Sequence, residues 1–174
     1  MKIPDFKDGF ISDNEVYYYP QSIIENYKSN ITFKKAVTIQ WRKVWPKGRK
    51  GQFRILDNGQ ELADKLASNL PGNILIRLVD TASLSVNEQI SIMRKTDYFI
   101  GIHGAGLSLS IFMPHESILH EVLPFNCNSL LTLMSALSGH ITYSDLIRNK
   151  INNVNGNQNI FFMPKIFVKS VLYN

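Results

Sequence analysis

Cysteine and long apolar runs are both scarce in this sequence, and each shortage removes a class of protein. Cys127 is the only cysteine in 174 residues, so there is no internal disulfide and no cysteine-based zinc site. The redox compartment stays open. No stretch approaches the roughly 18 apolar residues of a membrane span, and Met1-Lys2-Ile3-Pro4 does not begin a signal peptide. Any targeting segment or anchor is expected to lie outside these residues or to be absent. Acidic residues are outnumbered, 14 against 19 lysines and arginines, for a net charge of +5. That balance suits a partner carrying phosphates. The basic residues gather in one loop rather than along a helix or strand face, which argues against a nucleic-acid duplex as partner. Internal repeats and domain linkers are also missing.

What is present is an ordinary globular composition, 44% hydrophobic and 19% charged, in a chain long enough to bury a core without staples. Residues 1–30 scatter Phe6, Phe10, Tyr17, Tyr18, Tyr19 and Tyr27 without a sustained period. They read as an irregular arm packed on the main body, with a short helix near Gln21 to Lys28. Tyr17-Tyr18-Tyr19 has a second reading, as a stacking surface for a sugar or base. Asn30-Ile31-Thr32 is a glycosylation sequon, a pattern that often arises by chance.

Residues 31–174 then alternate strands and helices. Lys35 to Trp41, Ile74 to Val79, Tyr98 to Ile102 and Ser117 to Leu123 are apolar runs of strand length, and His140 to Tyr143 suggests one more. Asn58 is placed to cap a helix to about Asn69, with Leu62, Leu66 and Leu70 on one face. Ser85 caps a second helix to about Lys95, and Ser129 to Leu137 forms a third. Residues 148–159 are Asn-rich and read as loop, and Ile160 to Tyr173 as a docked final strand or helix. This alternation predicts an α/β fold, a Rossmann-like parallel sheet with helices on both faces.

The most informative stretch is His103-Gly104-Ala105-Gly106-Leu107, which follows a buried strand and leads into a short predicted helix. Strand, glycine turn and helix N-terminus together make an anion site, because backbone N–H groups converge where a ligand can approach closely. The alternative is a tight turn that needs glycine only for positive φ. A basic loop, residues 42–54, leaves the first main strand and carries Arg42, Lys43, Lys47, Arg49, Lys50 and Arg54. Arginine forks pair bidentately with phosphate oxygens; the alternative is a solvated basic loop. Both loops leave carboxyl ends of strands, the edge where parallel sheets bind ligands. His103 has three readings: phosphate donor, general acid or base, or cap of the turn. Glu121 sits near the carboxyl end of its strand, where a carboxylate accepts from ribose hydroxyls or simply faces water. Asp97 lies at the opposite edge and reads as structural, and His115 and His120 lack metal-ligand spacing.

Arg42, Arg54-Ile55-Leu56-Asp57-Asn58 with Glu61-Leu62, Ser85 to Gln89, Asp97 to Leu107, Phe112-Met113-Pro114 and Glu121-Val122-Leu123-Pro124 follow one another in an order that resembles the family 61 glycosyltransferases. The resemblance runs from about Val37 to Tyr143, with its most specific part at Asp97 to Pro124. It implies inverting transfer of a sugar from a nucleotide sugar, usually UDP-linked, to a protein or glycan hydroxyl. The implied fold is one half of a GT-B enzyme, the C-terminal nucleotide-binding half. By resemblance Arg42 and Arg54 would hold the diphosphate and Asn58 would support their loop. The His103, Gly104, Ala105, Gly106 and Leu107 turn would close over the nucleotide, and Glu121 would meet the ribose. No metal and no tightly bound cofactor are implied, only the UDP-sugar donor and a glycan or glycoprotein acceptor. Relatives work in the Golgi or endoplasmic reticulum lumen. They are also far longer, so a fragment missing an N-terminal domain, a shortened gene product and a non-catalytic remnant all stay open, and the catalytic base stays unassigned. The competing reading is a nucleotide-binding Rossmann domain without turnover.

Overall fold

The apolar runs become the strands of one central sheet. A computed structural model describes residues 16–19, 34–41, 54–56, 59–71, 73–123, 131–146 and 158–160. In chain order these hold β1 (Val16–Tyr19), β2 (Lys35–Gln40), β3 (Arg54–Leu56), α1 (Gly59–Asn69), β4 (Ile74–Val79), α2 (Val86–Met93), β5 (Tyr98–Ile102), β6 (Ile118–Leu123), α3 (Leu131–Leu137), β7 (Ile141–Leu146) and β8 (Gln158–Ile160). Short 3₁₀ helices span Thr81–Ser83 and Ala105–Phe112. The main sheet has the order β1-β4-β2-β5-β6-β7. Its five strands from β4 to β7 are parallel, and β1 is antiparallel on the edge. The expected Rossmann-like α/β architecture is present. None of the described helices is long and apolar enough to cross a membrane.

Period-two alternation sorts the strand side chains onto two faces. Val37, Ile39, Ile76, Leu78, Tyr98, Ile100, Ile118 and Val122 form one core with Leu62 and Leu66 of α1. Ala36, Leu75, Val79, Phe99 and Leu119 form the other with Ile92 and Met93 of α2, Leu107 and Met113. So α1 covers one face, while α2 and the longer 3₁₀ helix cover the other. The chain leaves β2 for the first face and β5 for the second. The crevice between their carboxyl ends is therefore the topological switch point of the sheet.

Local chemistry fixes these elements. Ser85 and Glu88 form a reciprocal capping box at the start of α2, with Ser85 N–H donating to Glu88 Oε2 at 2.7 Å. These bonds from Ser85 hold the Glu88 carboxyl below its usual range. At the other end of α2, the buried Arg77 of β4 donates through Nη1 to the Ile92 carbonyl at 3.3 Å and through Nη2 to the Lys95 carbonyl. The arginine thus ties β4 to the end of α2, adding to the bonds that the Ile92 carbonyl accepts from Lys95 N–H at 3.0 Å and Thr96 Oγ1 at 2.9 Å. Asp97 is structural as expected: its Oδ2 accepts from Ala36 N–H at 2.7 Å, joining β5 to β2 at their amino ends. His120 is buried between Tyr98 and Tyr143, with Nδ1 at 3.1 Å from the Tyr98 hydroxyl.

Several expectations need correction. Tyr17-Tyr18-Tyr19 is not irregular arm but part of β1, paired with Ile76 to Leu78. Arg54 opens strand β3 rather than ending a loop, and Gln158–Asn159 belong to β8, parallel to it. That pair forms a separate two-stranded sheet, with β3 lying against β5. The predicted helix after the glycine turn is a 3₁₀ helix. The helix at Gln21 to Lys28, the Asn58 cap, the basic loop up to Phe53 and the tail beyond Ile160 lie outside the described residues.

Replacing Arg77 by alanine should lower unfolding free energy by about 2 to 4 kcal/mol, since it takes a donor from the Lys95 carbonyl, removes one of several from the Ile92 carbonyl and leaves a cavity. Urea unfolding measures this, and an unchanged midpoint would refute that role. His140 gives a pH test. Burial pushes its imidazole below the ordinary histidine range, the Ser110 backbone offsets part of this, and His115 adds to the depression. A base with a depressed folded pKa leaves stability fully present above about pH 6.5 and removes it as pH falls through the folded value. The urea midpoint should therefore drop as the solution is acidified below that point, and less so in His140→Leu.

Candidate functional site

The carboxyl end of β5 is where the parts meet. Gly101 has Glu121 as its cross-strand neighbour on β6 and Gln40, the last residue of β2, on its other side. Gln40, Gly101 and Glu121 therefore form a row across three adjacent strands, on the face covered by the longer 3₁₀ helix. Directly after β5, His103 N–H donates to the Val122 carbonyl at 2.9 Å, which ties the turn to β6. His103 Nδ1 then lies 2.5 Å from Glu121 Oε1.

The burial of this pair is unequal. Glu121 has no exposed side-chain surface, whereas His103 keeps 19% of its own. An ionised carboxylate can only accept hydrogen bonds, so Nδ1 is the donor and Glu121 fixes both ring orientation and tautomer. His103 is therefore the member of the pair that a ligand at this rim could reach. With no exposed surface, Glu121 neither faces water nor presents its carboxylate to a ribose hydroxyl, as the sequence suggested; its Oε1 is turned to His103 instead.

The glycines divide by what surrounds them. A Cβ on Gly101 would lie 2.6 Å from Leu107 Cδ2 and 3.0 Å from Gln40 Oε1, and one on Gly106 would collide with the Gln40 amide. Both glycines are demanded by packing. Gly104 differs: a Cβ there would meet only the Ile102 carbonyl, at 3.8 Å. Its φ of 165° and ψ of 165° are extended backbone open to any residue. The idea that this turn needs glycine for positive φ is therefore wrong; among described glycines only Gly139 has positive φ, at 82°. Gly104 caps the 3₁₀ helix, whose first N–H groups, those of Ala105 and Gly106, have no partner within the helix.

The structure thus brings His103, Gly104, Ala105, Gly106 and Glu121 together at one rim. Leu107 is fully buried and anchors the turn from below. The backbone of Arg54 belongs to β3, beside β5. Arg42 and Asn58 lie outside the described residues, although Trp41, next to Arg42, leaves β2 at this same rim. Sequence reasoning missed Gln40 and Thr81. Gln40 Nε2 donates to the hydroxyl of buried Thr81 at 2.8 Å, linking β2 to the β4–α2 connection. The available signal was a lone amide ending an apolar strand on the binding edge.

Part of this sequence is similar to known proteins. Residues 11–119 match the family model for Glycosyltransferase 61. Among curated proteins, the chain is similar to the EGF domain-specific O-linked N-acetylglucosamine transferases of Drosophila melanogaster, 33% identical over 79 residues, and of Xenopus laevis, 36% identical over 81 residues. Each alignment covers 45% of this chain, and 14% and 15% of those relatives. The chain therefore aligns with about a seventh of their length. No solved structure gives a significant match.

The division of the glycines is testable without a ligand. Gly101→Ala should destabilise the fold by about 1 to 3 kcal/mol through overpacking, whereas Gly104→Ala should leave the urea midpoint nearly unchanged. Equal losses at both positions would contradict the geometry.

Proposed function

Because the chain belongs to glycosyltransferase family 61, we propose that the rim around His103 binds the diphosphate of a nucleotide sugar, UDP-linked, during inverting transfer of its sugar to a hydroxyl. The acceptor is a protein or glycan, and the curated relatives' names point to EGF domains as one such class. The setting is the lumen of the secretory pathway. The observation that carries this reading is the pairing of His103 with a fully buried Glu121 beside the open backbone of Gly104, at the switch point of a parallel sheet.

In this mechanism the sugar leaves as its bond to the diphosphate breaks, and negative charge grows on that group. As the imidazolium, its ring held through Nδ1 by Glu121, His103 donates its second N–H to the departing phosphate. The N–H groups of Ala105 and Gly106 add fixed donors, and Gly104 lets the phosphate come close to the backbone. Arg42 and Arg54 supply the opposing charge, with Asn58 steadying their loop. Preorganised donors of this kind act where charge develops and so favour the transition state over the ground state. The acceptor hydroxyl gives up its proton to a base that is not assigned among these residues.

Calorimetry with UDP and a UDP-release assay with UDP-sugars and EGF-domain acceptors test this reading. His103→Ala should lower turnover about 100- to 1,000-fold and Glu121→Gln should also reduce it, with folding retained. Gly104→Val should abolish UDP binding in a folded protein. UDP binding without release would make the chain a nucleotide-binding domain; no binding of UDP would overturn the donor site.

A further inference from the structure

We infer that Gln40 is a positioning residue for this site, its amide setting the height of the turn that carries His103 and Gly104; this rests on the donor-site reading above. Three contacts carry the inference. On one side, the Gln40 Oε1 and Cβ atoms occupy the space where Gly101 would carry a side chain, 3.0 and 3.3 Å from that position. On the other, its Nε2, Cδ and Oε1 lie under Gly106, against the place of that residue's Cβ. The amide is thus wedged between the residues that bracket His103 and Gly104. The third contact removes its freedom, since Nε2 donates to Thr81 Oγ1 at 2.8 Å.

Thr81 is itself held from behind. Gln89 of α2 donates through Nε2 to the Thr81 carbonyl at 2.8 Å and to the Leu84 carbonyl at 2.9 Å. Asp80 caps the same short helix through the Ala82 N–H at 3.1 Å. A chain of amides and hydroxyls therefore runs from α2 through Thr81 and Gln40 to the glycine turn. The turn rests on a tethered polar group where a strand of this core would ordinarily end in an apolar side chain. An apolar residue of equal length would fill the volume but could slide, because nothing would fix its tip. A turn that must hold backbone N–H groups on a phosphate within a few tenths of an ångström gains from the tether.

The test separates position from mere packing. Gln40→Met keeps the length and loses the tether, Thr81→Val removes the acceptor from the other end, and Thr81→Ser retains it. UDP affinity is measured by calorimetry on each 174-residue variant, alongside the urea midpoint. Should Gln40→Met fail to fold, the two Thr81 variants still decide, because they test the same bond. The expected result is an affinity about tenfold weaker, the scale of one hydrogen bond, in Gln40→Met and Thr81→Val, with Thr81→Ser close to the unaltered chain. Affinity unchanged in Gln40→Met and Thr81→Val would overturn the inference and leave the donor site standing. Equal weakening in Thr81→Ser and Thr81→Val would also overturn it. Failure of the unaltered chain to bind UDP would overturn both readings.

Discussion

The missing side chain at position 101 is the constraint on which the rim depends. Any Cβ there would fall 2.6 Å from Leu107 Cδ2 and 3.0 Å from Gln40 Oε1, so the 3₁₀ helix or the side chains beneath it would have to shift. Because the helix lies on the sheet, Leu107 enters the core with Phe99, Leu119 and Met113, and the residues before it are drawn across the end of β5. His103 then arrives over Glu121, and Gly104 is left facing outward. One absent methyl group on a strand end thus links core packing to the geometry of the candidate site.

The two pairs flanking Gly101 divide the work. On the β6 side, a carboxylate without exposed surface holds an imidazole that keeps some. Removing a carboxylate from water is costly unless it is paired, so this pair persists only where the exposed partner is held still. On the β2 side, Gln40 and Thr81 form a neutral pair that supports the turn from beneath. The acid–imidazole pair therefore stands on the β6 side of Gly101 and a neutral hydrogen bond on its β2 side. At the opposite edge Asp97 holds β5 to β2 through the Ala36 N–H, which fixes the strands whose other ends form the crevice.

Much of this was legible in the chain. Apolar runs bounded by turn residues located β2, β4, β5 and β6, and Ser85 with Glu88 announced the start of α2, because both signals are local. Placing the turn at His103 on the binding edge needed only the parallel order implied by alternating strands and helices. The rest depends on partners distant in sequence. Tyr17 to Tyr19 has no periodicity of its own and becomes a strand by pairing with β4. Arg54–Leu56 and Gln158–Ile160 are strands only through each other. Which glycines serve packing and which serves access was unreadable, since the answer lies in the Gln40 side chain and in a backbone that turns at extended φ rather than positive φ. The role of Arg77 was hidden for the same reason: its acceptors lie on α2 and just past its end, beyond the strand that carries it.

The most direct test of the central claim is an amide NMR titration of the chain with UDP. Saturable shifts concentrated at His103 to Gly106, with Gln40, Thr81 and Glu121 following, are predicted. Shifts confined to the amino ends of the strands, around Lys35, Asp97 and His115, would contradict it.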